Sequence, residues 1–174
     1  MNKAILAGVA LFAAAASVSA QGTFSASSAT GTKPRITLNG NNAVAADNIY
    51  VQILVNGAAT IDPFALTLAG ANAGLFSKGT VTVAGVAGGK SADITIRAWD
   101  KDTGADFASA TTKASTVLSG FVLGGAVDAN GIAGLPNSIV PAFTGLALIT
   151  VTPEPSTYAL AALGLGGLLF LRRK

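Results

Sequence analysis

Hydrophobic and polar residues alternate over short stretches in the central part of the chain. Alternation with a period of two is typical of β-strands that bury one face, because successive side chains of a strand point to opposite sides. The pattern is clearest in Ala92–Trp99, where the even-numbered residues are all apolar. They are predicted to face the core. The odd-numbered residues, which end with Trp99, are predicted to face solvent.

Eight stretches of this kind follow one another, and no apolar period of 3.6 residues lasts longer than two turns. The candidate strands are Arg35–Leu38, Ile49–Val55, Phe64–Leu68, Thr80–Ala84, Ala92–Trp99, Phe107–Lys113, Thr116–Leu123 and Leu146–Thr152. Turn sequences lie between or beside them, namely Asn56-Gly57, Gly88-Gly89, Asp102-Thr103-Gly104 and Asn130-Gly131. Strands without intervening helices predict an all-β fold, a single antiparallel β-sandwich domain over residues 21–152.

Three further features refine this prediction. Residues 21–33 are small and polar, which indicates a flexible lead-in or a loosely paired first strand. Ile49–Val55 is apolar on both faces except for Gln52, which favours a central strand or a strand under another layer. Because Ala and Gly are abundant, aromatic rings are expected to fill much of the core, namely Phe64, Phe76, Phe107, Phe121 and Phe143.

The N-terminus has the three parts of a secretory signal peptide. Lys3 is followed by an apolar run and then by small residues at the end of the segment 1–20. This order predicts export and cleavage between Ala20 and Gln21.

The C-terminus combines a proline-rich tripeptide, an uncharged apolar stretch and a basic end. These are Pro153-Glu154-Pro155, Tyr158–Leu171 and Arg172-Arg173-Lys174. A helix over the apolar stretch would be about 21 Å long, against about 30 Å for the hydrocarbon layer, so it is predicted to be a short, marginal membrane helix. The basic end would stay cytoplasmic and residues 21–152 would lie outside.

Residues 153–174 resemble the PEP-CTERM sorting signal of Gram-negative bacteria, in the order, spacing and terminal position of their three parts. The resemblance implies recognition by an exosortase, a membrane transpeptidase, through Pro153, Glu154 and Pro155. It also implies transient anchoring in the inner membrane, then the cell surface or extracellular matrix, in bacteria that make exopolysaccharide and biofilm. The signal occurs on unrelated proteins, so it implies a destination and no activity.

Charge and composition exclude several classes of function. The net charge of +3 comes from the two ends, because residues 21–152 hold seven Lys and Arg against seven Asp. A neutral domain is not expected to bind nucleic acid. The chain has no His and no Cys, which excludes zinc sites built on them, Ser-His-Asp and Cys-His nucleophiles, and disulfides.

Asp100, Asp102 and Asp106 are spaced like ligands of a calcium loop. Ala105 and Thr111 stand where an EF-hand needs Gly and a bidentate Glu, so an EF-hand is excluded and a solvated turn is favoured over a looser calcium loop. The same holds for the turn containing Asp128. Because the Asp residues stand in turn-like contexts, we predict no paired-carboxylate hydrolase, no enzyme, no metal and no cofactor.

The sequence therefore predicts a non-enzymatic secreted or surface-anchored protein of the extracellular matrix or envelope. The alternative is a carbohydrate-binding module for the cell's own exopolysaccharide, with Trp99 and Tyr50 stacking on sugar rings. In the simpler interpretation each of these two aromatic residues covers an edge of the core. The expected partners are the exosortase, the inner membrane and exopolysaccharide.

Overall fold

A computed structural model describes residues 21–127, 132–140 and 142–150, and most of them form β-structure. The strands are β1 (Gln21–Ser27), β2 (Ile36–Leu38), β3 (Asn41–Asn42), β4 (Ile49–Val55), β5 (Ala58–Ala65), β6 (Ser77–Ala87), β7 (Ser91–Asp100), β8 (Lys113–Val122), β9 (Asn137–Ser138) and β10 (Leu146–Leu148). Three short 3-10 helices stand between strands, at Ala45–Asp47, Gly70–Asn72 and Lys101–Thr103. The predicted β-rich character is confirmed.

The largest sheet has four antiparallel strands in the order β5-β4-β7-β8. The predicted central position of β4 is confirmed, with β5 on one side and β7 on the other. Asn56 and Gly57 have φ angles of 50° and 81°, so they form the tight turn that returns the chain from β4 into β5.

Two smaller sheets have three strands each, in the orders β6-β1-β9 and β10-β2-β3. The pairs β1/β9 and β10/β2 are parallel, and the others are antiparallel. The prediction of antiparallel pairing alone is therefore wrong for these two short pairs. Each of them joins an early strand to one near residue 140, and such a long connection lets the chain return in the same direction.

The three sheets contribute to one hydrophobic core. Its fully buried side chains include Phe24 from β1, Ile36 from β2, Ile53 from β4, Ile96 from β7 and Leu148 from β10. Of the two alternatives for residues 21–33, the paired first strand is correct, and β1 is central in its sheet. Among the predicted core rings, Phe76 and Phe143 are buried, and Phe64 and Phe121 are partly buried against the core. Phe107 is not part of this core and packs against Trp99 instead.

Two predicted strands are wrong. Residues 107–112 form turns and bends, because the side chains of Asp106 and Ser109 bond to each other's backbone N–H groups and so compete with strand pairing. The predicted strand Phe64–Leu68 lies largely beyond β5, which begins directly after the Asn56-Gly57 turn. β5 contains Pro63, which an edge strand tolerates.

Several predictions fall outside the described residues. They are the signal peptide up to Ala20, the turn at Asp128 and Asn130-Gly131, and the C-terminal segment with Pro153-Glu154-Pro155 and its membrane helix. Among residues 21–127, 132–140 and 142–150, no helix has the length and apolar character needed to cross a membrane.

Candidate functional site

The outer face of the four-stranded sheet, opposite the core, carries a compact group of large side chains. In the register of β4 and β7, Tyr50 lies opposite Trp99 and Gln52 lies opposite Arg97. Residues two apart on a strand share a face, so these four side chains form one patch. The rings of Tyr50 and Trp99 are tilted by 38°, with centroids 5.9 Å apart.

Trp99 is buried, although it lies on the outer face. Its exposed fraction is 2% because residues 101–112 fold back over it and bring Phe107 into an edge-to-face contact, with ring centroids 6.2 Å apart. The prediction that Trp99 faces solvent is wrong for this reason. In this conformation the ring has no face open to a sugar, while Tyr50 is half-buried.

The covering segment is fixed by hydrogen bonds at its base and tip. At the base, the Thr103 hydroxyl donates to the Asp100 carbonyl oxygen at 2.8 Å and accepts from the Thr112 N–H at 3.1 Å. At the tip, Asp106 accepts from the Ser109 hydroxyl at 2.7 Å and from the Ser109 N–H at 2.8 Å. These bonds, with a smaller effect of the Lys113 charge, lower the pKa of the Asp106 carboxyl, which is therefore ionised at neutral pH.

Three cations lie close to the rings of Tyr50 and Phe107. Arg97 donates from Nε and Nη2 to Gln52 Oε1, at 2.9 and 2.6 Å, and its guanidinium lies 5.0 Å from the centroid of Phe107. The Lys101 ammonium lies 4.5 Å from the centroid of Tyr50. Lys113 donates to the carbonyl oxygens of Phe107 and Ala108 and lies 5.4 Å from the Phe107 ring. Cation–π attraction therefore helps to hold the segment over the sheet.

A cavity of about 350 Å³ opens between this segment and the sheet. Its volume is at the small end of the range for ligand pockets, about 300–1,000 Å³. The lining residues are Tyr50, Gln52, Pro63, Arg97, Trp99, Lys101, Ala105, Asp106, Phe107 and Ala108. The cavity thus combines aromatic surfaces with two cations and one carboxylate.

The three carboxylates with calcium-like spacing all accept hydrogen bonds from the protein. Asp100 accepts from the Asp102 N–H at 2.9 Å, and Asp102 accepts from Asn48 Nδ2 at 2.7 Å, while Asp106 is bonded to Ser109. Asp100 thereby acts as the N-cap of the short helix Lys101–Thr103. In the part of the chain that the structure describes, no three His, Cys, Asp or Glu residues are grouped so as to hold a metal ion.

Sequence reasoning located Tyr50 and Trp99 but missed the rest of this site. Gln52 was recognised only as the polar residue of a central strand, and Arg97 only as one of the odd-numbered residues of Ala92–Trp99 predicted to face solvent. The register of β4 against β7 places Gln52 opposite Arg97. The alternating apolar patterns of the two strands indicate this pairing once the strands are aligned. The role of Phe107 was missed because its segment was predicted to be a strand.

We expect Phe107→Ala to uncover Trp99. The chain contains a single Trp, so its fluorescence reports on this position alone. Removal of the half-buried ring should shift Trp99 emission to longer wavelength and cost about 1–2 kcal/mol of stability, less than truncation of a fully buried Phe. Emission spectra and urea unfolding of the full chain measure both effects. As a control, Phe121→Ala, which removes a half-buried ring that contacts Phe24, should leave the native emission unchanged. An unchanged spectrum in Phe107→Ala would contradict the described packing.

The comparisons with known proteins identify the C-terminal segment. Residues 151–174 match the family model described as the PEP-CTERM protein-sorting motif. The chain thus carries this motif, as the resemblance predicted, and the motif implies an exosortase-targeted protein that is exported and sorted to the cell surface. No curated protein and no solved structure matches the chain.

Proposed function

We propose that this protein is a non-enzymatic component of the extracellular matrix or cell envelope, delivered by its PEP-CTERM motif. The observation that carries the proposal is the motif itself, at residues 151–174, directly after a β-rich region with its own hydrophobic core. We take residues 21–152 as one β-sandwich domain, in which the four-stranded sheet packs through the core against the two smaller sheets. A sandwich of this size folds independently of the terminal segments that direct export.

The roles of the Asp side chains support a non-enzymatic interpretation. Four of them accept backbone N–H groups, namely Asp47, Asp93, Asp100 and Asp106. Asp93 bridges two neighbouring strands in this way, and the other three serve turns and caps. A general acid would need a raised pKa, whereas the pKa of Asp106 is lowered. These carboxylates hold the local backbone in place, which suits a display domain.

A second candidate function is carbohydrate binding, and the cavity beside Tyr50 favours it. An aromatic ring with polar groups around it is a common form of small-molecule site. Trp99 is covered in the described conformation, so Tyr50 rather than Trp99 would meet a sugar.

We expect Glu154→Ala to block removal of the C-terminal segment without affecting export or folding. The two prolines around Glu154 keep this tripeptide out of a helix and so accessible to the processing enzyme. The variant should accumulate in the inner membrane, heavier by the mass of the retained segment. Gel mobility and fractionation of the native host measure this, with Thr152→Ala as a control just outside the tripeptide and a host without exosortase as the reference. Equal masses in the same fraction for all strains would contradict exosortase processing.

The surface location has its own test. A membrane-impermeant amine reagent applied to intact cells should label the wild-type protein, because Lys78 and Lys101 are exposed. A protein that is labelled only after lysis would contradict the proposed role.

A further inference from the structure

We infer that the cavity between Tyr50, Arg97 and Phe107 binds one acidic sugar residue, a uronate within an extracellular polysaccharide. The inference rests on the proposed surface function, because at the cell surface the protein would meet an extracellular polysaccharide. It specifies the ligand class and assigns ring stacking to Tyr50 rather than to Trp99. Its basis is the pairing of a carboxylate-binding group with an aromatic surface in a cavity of about 350 Å³.

Arg97 has the geometry of a carboxylate-binding group. Gln52 is 8% exposed and takes two of the five guanidinium N–H groups, which fixes the plane of the fork. Nη1 has no hydrogen-bond partner among the described residues, and neither Arg97 nor Lys101 has a carboxylate within 4.0 Å there. A planar, positioned guanidinium binds carboxylates in bidentate fashion, whereas an ammonium acts as a point charge. Among the described residues, the two neighbouring cations of the cavity are therefore not ion-paired with a carboxylate, although Asp106 also lines it.

Lys101 is positioned to respond to an incoming anion. Its ammonium lies over the Tyr50 ring and within 3.4 Å of the Tyr50 hydroxyl, a weak and exposed contact. When a carboxylate binds beside Arg97, the Lys101 ammonium would move from the Tyr50 ring to this opposite charge. The Tyr50 ring would then be open to the apolar C–H face of a pyranose, as aromatic rings are in many ligand sites.

Two features favour a saccharide over a simple anion. The Asp106 carboxylate lines the cavity and is ionised at neutral pH, so it repels a bare anion but can accept a hydrogen bond from a sugar hydroxyl. Trp99 also lines the cavity, and its indole N–H is buried without a hydrogen-bond partner among the described residues. The mixture of two cations, one carboxylate and aromatic surface matches a ligand with one carboxylate and several hydroxyls.

The test is a titration of the full chain followed by Trp99 fluorescence, since Trp99 is the single Trp and lines the cavity. An oligomer of galacturonate should change the emission saturably. The matched neutral oligomer of galactose and sodium acetate should bind at least about tenfold more weakly. Lys101→Gln, which alters an exposed side chain, and Arg97→Lys, which keeps the charge but removes the fork, should each weaken galacturonate binding about tenfold.

Lys78→Gln is the matched control. Lys78 also lies over an aromatic ring, 4.3 Å from the centroid of Phe64, but it lines a different cavity, so its removal should leave galacturonate binding unchanged. Equal binding of the neutral oligomer or of acetate, an equal loss in Lys78→Gln, or no saturable change would each overturn the inference. If binding fails while intact cells are still labelled, only this inference fails. If binding holds while labelling fails, the surface function fails instead.

Discussion

Phe24→Ala is expected to lower the free energy of unfolding by about 3–5 kcal/mol, the usual cost of emptying a buried Phe site. Phe24 is fully buried in the central strand of its sheet and contacts the edge of Phe121, with centroids 6.4 Å apart. Urea unfolding of the full chain, followed by Trp99 fluorescence, measures the change.

The same experiment tests the paired first strand against a flexible lead-in, the two interpretations of residues 21–33. A flexible lead-in would tolerate Phe24→Ala with a change of about 0.5 kcal/mol or less, as exposed positions do. Leu135→Ala serves as the control, because Leu135 is 86% exposed and its truncation should fall within that limit. Similar losses in both variants would contradict the central position of β1.

Gly74→Ala is expected to have the second largest effect. Gly74 has a φ of +76°, and a Cβ there would lie 2.4 Å from the carbonyl oxygen of Ile36, which belongs to the buried strand β2. The left-handed conformation costs Ala about 1–2 kcal/mol, and displacement of packed backbone adds about 1–3 kcal/mol.

Gly40→Ala is a matched control that measures how much of the stability loss comes from the positive φ alone. Its φ is +84°, yet no atom lies within 4 Å of the position a Cβ would take. Gly40→Ala should therefore show only the conformational cost of about 1–2 kcal/mol. The difference between the two variants, measured by urea unfolding, isolates the steric contact. Equal losses would mean that the backbone around Ile36 relaxes freely.

The strands that the sequence predicted best are those whose character depends on neighbouring residues alone. Ile49–Val55 has the predicted bounds, and Ala92–Trp99 lies within β7 with one more residue at each end. In both, the apolar pattern matches the burial that the sheet imposes, so local and tertiary preferences agree.

The features that the sequence left open or predicted wrongly share a different physical cause. β1, for which a flexible lead-in stayed an alternative, is composed of small residues around one Phe, and its buried position depends on partners 50 or more residues away in sequence. Nothing in its own composition encodes those partners. The covering of Trp99 likewise depends on a loop whose Asp106–Ser109 hydrogen bonds outweigh the β-propensity of the residues around Phe107.

The candidate site was predictable only in part for the same reason. Tyr50 and Trp99 could be selected by residue type, because aromatic residues are scarce in this chain. The pairing of Arg97 with Gln52 requires the register of β4 against β7, and register depends on the turns and on the buried face. The residues of one strand do not by themselves specify which residues of the neighbouring strand lie opposite them.

The parallel pairs β1/β9 and β2/β10 have a consequence for the timing of export. Phe24 pairs with Asn137 and Ile36 with Leu146, so both small sheets need segments more than 100 residues apart. Contacts of such long range form slowly, because the entropy of closing a large loop is lost before they stabilise the fold. A chain that emerges N-terminus first therefore lacks one of the two partners of β1 and one of the two partners of β2 until residues 137–148 have followed. The two small sheets, and with them the core, would be complete only when these last strands have emerged, just before the sorting motif arrives.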